Sequence, residues 1–437
     1  MMHQNGDGGK AAGSNWASNL EYFAPRFHEV DSVEAAQEIV ASSERVRALG
    51  TRHCFNRIAD CDDVQISIRP MSRVLEINLH ELTVAVEGGA SYGQVCAELD
   101  RAGFALGNLA SLPHISIVGA VATATHGSGA HNKNLAAAVS SVEFINGDGD
   151  LVTMSREKDG ERFDGVPVHL GGLGLVTRIS LDIVPTFRIR QHVYVDLPAE
   201  SMRRNFDRIM EDGYSVSLFT DYRGGTINQV WRKQLEKESR SEPESDFFGA
   251  LPAATKMHPV GQDPEYCTLQ MGEAGPWYDR LPHFRMGFTP SSGEELQSEY
   301  FVRREDGVAA YTAIEQLAGK LADLLLISEV RLIDADDLWM STAYGEPKVG
   351  FHFTWRRDPA GVRRVLPQIE DALRPFNAIP HLGKVFTMSP AEVRFKYQRL
   401  DDFDELLRTF DPGRKFSNAF LRYYLFGSDE SSVADAW

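Results

Sequence analysis

The sequence predicts an α+β fold in two parts, divided near residue 186. Three observations lead there. Up to Pro185, short β-rich runs interleave with short amphipathic helices. Beyond it, longer extended and helical segments alternate. The chain has 437 residues, which at roughly 150 residues per domain is too long for one.

The pattern begins at Trp16. The Gly-rich, polar residues 1–14 are expected to be disordered or a cloning remnant. Asp31 stands three residues before Glu34, a capping-box spacing. It opens a helix with Val33, Ala36 and Val40 on one face, ending near Ser43. Arg45-Val46-Arg47-Ala48-Leu49-Gly50 reads as a short strand closed by glycine, and 75–79 and 82–86 read as two more. Ser91 and Gln94 form a second capping box, with Tyr92, Val95 and Leu99 on the buried face of its helix. Residues 141–155 read as a hairpin around Asn146-Gly147-Asp148-Gly149. Residues 171–185 are Gly-rich, then strand-like, then stopped by proline. In the second part, 191–196 and 214–222 read as extended and 202–211 as helical. The charge-dense stretch 237–246 reads as an exposed loop. Strands follow at 300–303, 327–333 and 350–355, with helices at 307–325 and 362–373. No repeat of fixed period is present.

Composition is that of an ordered globular protein: 43% hydrophobic, 10% aromatic and 24% charged. Lys plus Arg is 45 and Asp plus Glu is 62, giving a net charge of −17. That balance argues against nucleic acid as the main partner. Cys54, Cys61, Cys96 and Cys267 contain no C-x-x-C pair. Free thiols in a reducing cytoplasm are expected. The start has no apolar core, so no signal peptide is expected. No run approaches 18 apolar residues, so no membrane-spanning helix is expected. No metal is expected, and a monomer is favoured.

The usual nucleotide motifs are missing. There is no G-x-x-x-x-G-K-[ST], and Thr177 stands where the third glycine of a Rossmann fingerprint after Gly172-Leu173-Gly174 would be. Two segments stand out instead. One is Gly50-Thr51-Arg52-His53-Cys54-Phe55-Asn56, directly after a strand. The other is Ala110-Ser111-Leu112-Pro113-His114-Ile115-Ser116, continuing through Gly119 to Thr123-Ala124-Thr125-His126-Gly127-Ser128-Gly129. Small residues let a backbone approach a large flat or anionic ligand, and such loops offer N–H and hydroxyl donors. The same texture fits a tightly packed buried turn.

These segments, with the later Leu170-Gly171-Gly172-Leu173-Gly174-Leu175-Val176-Thr177, resemble the flavoproteins of the vanillyl-alcohol oxidase family. Within that family the chain is most similar to the alditol oxidases, cousins of the sugar-lactone oxidoreductases. The likeness runs from about Asn15 to about Phe426 and includes Met257-His258-Pro259-Val260, Leu281-Pro282-His283-Phe284-Arg285 and Thr289-Pro290-Ser291-Ser292-Gly293. It also includes Glu329-Val330-Arg331, His352-Phe353-Thr354-Trp355, Gly383-Lys384-Val385-Phe386-Thr387 and Lys415-Phe416-Ser417-Asn418.

The resemblance implies a PCMH-type FAD-binding domain of two small subdomains over 15–187. It implies a substrate domain over 188–437, with a large antiparallel sheet over the flavin and a segment at about 380–426 returning to it. It implies FAD bonded covalently to His53. The matching cofactor positions are Ala48, Leu49, Gly50, Thr51, Arg52, Cys54, Ser111, Ser116, Gly119, Thr123, Ala124, Thr125, His126, Val176 and His381. Backbone N–H groups around Ala48 to Cys54 and Thr123 to His126 are expected to hold the pyrophosphate. Arg52 replaces a glycine common in relatives. Either its backbone is ordinary or the phosphate approach differs, since φ > 0 is costly with a side chain.

Glu329 and Arg331 are two apart on a strand and share a face, as do His352 and Thr354. By residues alone, Glu329 and Arg331 would make a surface salt bridge. The resemblance instead implies a polyol pocket of Ser111, Glu329, Arg331, Thr354 and Lys384, with Lys384, Arg331, Glu329 and His352 carrying the chemistry. The implied reaction is FAD-dependent oxidation of a primary alcohol of an alditol such as xylitol or sorbitol, with O2 reduced to H2O2. The alternative is a sugar-1,4-lactone oxidoreductase using another acceptor.

Overall fold

A computed structural model describes residues 13–287 and 295–428. The stretch 1–12 and the motif Thr289-Pro290-Ser291-Ser292-Gly293 lie outside the described residues. Gly13 and Ser14, expected in the tail, are ordered: the Gly13 carbonyl accepts from Tyr22 at 2.9 Å, and Ser14 bridges to Glu21.

The first part carries two small sheets besides a two-stranded pairing of Phe104–Ala105 with Val184–Pro185. One is parallel, in the order Arg26–Glu29, Val64–Ser67, Val46–Ala48. The helix Val33–Ser42 packs Ala36 and Val40 against Val46, Val64 and Ile66. Its cap is Ser32, whose hydroxyl accepts from Ala35 N–H, and not Asp31 as the spacing suggested. Ser32 lies one residue closer to Val33, so its oxygen reaches an orphan N–H of the first turn. The other sheet is antiparallel with five strands, in the order Val74–Asn78, Thr83–Glu87, Leu175–Asp182, Val139–Ile145, Leu151–Ser155. Its last pair is the expected hairpin, and Asn146 Oδ1 closes the turn by accepting from the N–H groups of Asp148 and Asp150. The second capping box forms as expected: Gln94 Oε1 accepts from the Ser91 N–H at 2.9 Å.

The second part is organised by one nine-stranded sheet, antiparallel throughout. Arg188–Pro198, Thr226–Leu235, Ser215–Thr220, Leu325–Ile333, Lys348–Arg356 and Glu295–Arg303 follow in spatial order. Two expectations are corrected here. The strand expected at 300–303 begins at Glu295, because its polar first half is paired along its whole length with Lys348–Arg356. The helix expected over 307–325 is two helices, Gly307–Glu315 and Ala318–Leu321. Leu325 is drawn into the sheet opposite Trp355, so pairing overrides helical propensity.

The chain end returns to the first part. Arg47 is buried and donates to the carbonyls of Phe416 and Leu170, both at 2.7 Å. Asn418 Nδ2 reaches the carbonyls of Arg57, Ile58 and Asp60. All four cysteines are free thiols. No described helix is long and apolar enough to cross a membrane.

Candidate active site

One cleft runs between the two small sheets and out beneath the large one. Its inner walls are the loops 48–54 and 110–126, with Gly88, Gly89 and Val176. Its outer wall is a face of the strands Glu295–Arg303, Leu325–Ile333 and Lys348–Arg356, closed by His381 and Lys384. Every expected cofactor and substrate residue lines it except Ala124, which is buried beside it.

The loops meet closely. Ser116 N–H donates to Thr51 Oγ1 at 3.1 Å. A Cβ added to Gly50 or to Gly119 would stand 2.6 Å from Ser116 Oγ, so these glycines permit the approach. The expectation that N–H groups of Thr123, Ala124 and Thr125 face the cleft is corrected. They donate to the carbonyls of Ala120, Val121 and Ala120, closing the helix Ile117–Ala122. A short helix must satisfy its last carbonyls, and these N–H groups are the nearest donors. The Thr123 and Thr125 hydroxyls remain at the cleft. Arg52 does adopt the costly conformation, at φ +65°. Its guanidinium lies over the Phe27 ring at 5.4 Å.

His53 is sandwiched. Its ring stacks on Trp16 at 5.1 Å, and its Nε2 lies 2.9 Å from His114 Nε2. Burial and His114 push its pKa down to about 3, so the imidazole is neutral. Its Nδ1 is buried without a hydrogen-bond partner. Cys54 is a protonated packing thiol, raised to about 11 by burial.

The outer wall is charged. Register places Phe219, Glu329, His352 and Glu299 in one row across four strands. The hub is Glu299, which sequence reasoning missed. Its carboxylate accepts from Arg331 at 2.6 Å and Lys384 at 2.8 Å, and lies 3.1 Å from His126 Nε2. Burial pushes its pKa up, but Lys384 and Arg331 overcome this and hold it well below the usual range. Arg331 and Glu329 are buried, with Nε and Oε2 3.7 Å apart, so the surface salt bridge is excluded. Glu329 Oε1 is bonded to His283 at 2.8 Å. Burial lowers the Lys384 pKa and Arg331 lowers it further, while Glu299 opposes both. Burial is therefore a larger cause than the neighbouring arginine.

His352 can be assigned a proton. Gln297 donates its Nε2 to Glu295, so its Oε1 faces His352 Nε2 at 3.0 Å. That nitrogen carries the hydrogen, and Nδ1 is left as an acceptor. Burial and Lys384 hold this imidazole neutral. His381 is likewise neutral, pushed down to about 3, and its Nδ1 accepts from Gly383 N–H. Glu299 and Gln297 had a readable signal. Glu295, Gln297 and Glu299 alternate as one face of a strand, visible only once the strand is started early enough. His114 and His283 sat within quoted motifs without a role.

The chain is 42% identical over 419 residues to the alditol oxidase of Streptomyces sp. (strain IKD472 / FERM P-14339), spanning 95% of this chain and 99% of that protein. It belongs to the alditol oxidases, within the vanillyl-alcohol oxidase family of flavoproteins. Residues 25–155 match the FAD binding domain model, and residues 294–424 match the D-arabinono-1,4-lactone oxidase model. An L-gulono-1,4-lactone dehydrogenase of Mycobacterium tuberculosis (strain ATCC 25618 / H37Rv) is 26% identical over 91% of this chain and 94% of its own. The fold is shared with the crystal structure of cholesterol oxidase from B. sterolicum, at TM-score 0.77 and 14% identity, covering 95% of this chain and 96% of that one. This alditol oxidase relative is thus an FAD-dependent oxidase. The cleft fits FAD: its inner end has small-residue walls with hydroxyls of Thr51, Ser116, Thr123 and Thr125, and the acidic groups Glu295, Glu299 and Glu329 all stand at its outer end.

Proposed function

We propose that the protein oxidises a primary alcohol of a polyol, an alditol such as xylitol or sorbitol, to the aldose, with O2 as the final acceptor. The observation that carries this is the buried outer wall, where Glu329, Arg331, His352, Thr354 and Lys384 converge at one end of the cleft. FAD, when bound, supplies the two-electron acceptor for hydride from the alcohol carbon and passes the electrons to O2, giving H2O2. The chain's own residues do the rest. Arg331 stays charged, its pKa raised by Glu329 and Glu299 against burial, and stabilises negative charge developing on the reacting oxygen. In its unprotonated form, which its lowered pKa favours, Lys384 takes the hydroxyl proton at Nζ. Glu329 accepts hydrogen bonds from substrate hydroxyls, and Ser111 and Thr354 orient the polyol chain. A hydroxyl-dense substrate suits such a wall, because unpaired polar groups would be left by an analogue lacking those hydroxyls.

His53 is the residue we assign to covalent attachment of FAD. A neutral imidazole with a buried, unpartnered Nδ1 is a nucleophile held ready. Residues 15–187 would form the FAD-binding domain, and 188–437 the substrate domain. A second reading, oxidation of a sugar-1,4-lactone, is favoured by the match at residues 294–424. A panel of alditols and lactones with oxygen uptake and peroxide detection separates the two. Turnover of lactones without alditols would overturn the first reading.

A further inference from the structure

Next to Glu329 lie two buried titratable groups that the reaction above does not use, Lys233 and the cleft-lining His283. Lys233 is buried on the strand Thr226–Leu235. Its Nζ faces the Leu281 carbonyl, the Pro282 carbonyl at 3.2 Å and His283 Nδ1 at 3.2 Å. The other ring nitrogen of His283 lies 2.8 Å from Glu329 Oε1. The ring is held edge-on by Phe219 at 5.5 Å and Trp231 at 5.1 Å.

Donor counting fixes the protons. An ammonium has three donors and no acceptor. Charged Lys233 therefore donates to both carbonyls and to His283 Nδ1, which must be bare. A neutral imidazole with a bare Nδ1 carries its hydrogen on Nε2, and this one donates it to Glu329.

We propose that Lys233 and His283 are positioning residues: the charge on Lys233 selects the Nε2–H tautomer of His283, which holds the Glu329 carboxylate oriented toward a polyol hydroxyl. This rests on the polyol reading of the site. Burial lowers Lys233 to about 7, against the pull of Glu329 and Cys267. Burial and Lys233 lower His283 to about 4, so its ring is neutral near pH 7. Burial raises Glu329, but Arg331 and His283 overcome it and hold the carboxyl below its usual range. The other charged or titratable groups facing Lys233, His283 and Glu329 are His352 opposite Glu329 and Cys267 beside Lys233, itself faced by Arg285. Once Lys233 loses its proton, two donors and a lone pair face three acceptors. Either one acceptor loses its bond, or the His283 proton moves to Nδ1 and a lone pair faces Glu329. In the second case Glu329 loses its donor and is held less well, and polyol binding weakens as pH rises through neutrality.

The test uses flavin-loaded protein, with xylitol and oxygen uptake measured across neutral pH. For the wild type, KM should rise several-fold from the acid to the alkaline side of neutrality. Lys233→Met should show a raised KM that no longer changes over that range, at unchanged flavin content. His283→Gln keeps a donor near the Nε2 position and should hold KM well below that of His283→Leu. A wild-type KM flat with pH, or His283→Gln no better than His283→Leu, overturns the proposal. If Lys233→Met fails to retain flavin, the His283 pair decides. No turnover of any polyol by the wild type overturns the reading of the site, and the proposal with it. Polyol turnover with superimposable KM profiles overturns the proposal alone.

Discussion

The two ends of the cleft are built in opposite ways. The inner end comes mainly from two continuous segments, 48–54 and 110–126, and works with small residues, hydroxyls and a neutral histidine. The outer end comes from strands far apart in sequence and works with charge on buried Glu299, Glu329 and Arg331 and on half-buried Lys384. An inner end that surrounds a cofactor by shape, as proposed above, needs loops that lie close but little electrostatic tuning. The outer end needs opposed charges at fixed distances. Each buried charge there is tolerable only because another compensates it.

The comparison makes chemistry sensitive at one end and attachment at the other. The largest expected effect is at Lys384. If it takes the hydroxyl proton, Lys384→Met should lower kcat and kcat/KM together by about 10²–10⁴-fold. Flavin content should stay unchanged. A rise in KM alone would make Lys384 a binding contact and move the base to His352, whose Nδ1 is an acceptor.

Glu299→Gln probes the same end through stability. It leaves Arg331 and Lys384 buried without their shared carboxylate. Breaking a buried pair in this way typically costs about 3–5 kcal/mol, which thermal unfolding would register. The sign with pH follows from the lowered carboxyls. Glu299 and Glu329 sit below their usual range, so their stabilisation is present above the unfolded value of about 4.3 and is lost as pH falls. The variant should therefore show a shallower acid-side loss than the wild type. Equal slopes would mean that Glu299 is not the hub.

At the inner end, His53→Ala should release into the supernatant flavin that acid precipitation otherwise leaves with the protein. Wild-type protein that already releases all its flavin would sink the covalent assignment. The smallest effect belongs to Arg52. A side chain at φ +65° costs roughly 1–2 kcal/mol, so Arg52→Gly should raise thermal stability by about 1 kcal/mol after glycine's own entropy cost. A loss would show that packing over Phe27 outweighs the backbone strain.

Legibility followed the same divide. The inner end was readable because its residues are neighbours in sequence and their small size is itself the signal. The outer end was readable only in pairs. Glu329 with Arg331, and His352 with Thr354, each share one strand face by the period of 2. Which pair meets which is a matter of register. Glu299 was lost because the strand at 295–303 was started too late, at Tyr300.

The sequence by itself determined the α+β character, the positions of most strands and helices, the two small-residue segments that line the cleft and the types of residue at the polar wall. These depend on local pattern: periodicity, caps, turns and runs of small side chains. Tertiary structure alone decided that Glu299 is the shared partner of Arg331, Lys384 and His126, that Glu329 is held by His283, and that Lys384 is lowered chiefly by burial. Charge balance in a buried site depends on distances across strands and on exclusion of water, and neither is encoded in the spacing of residues along one segment.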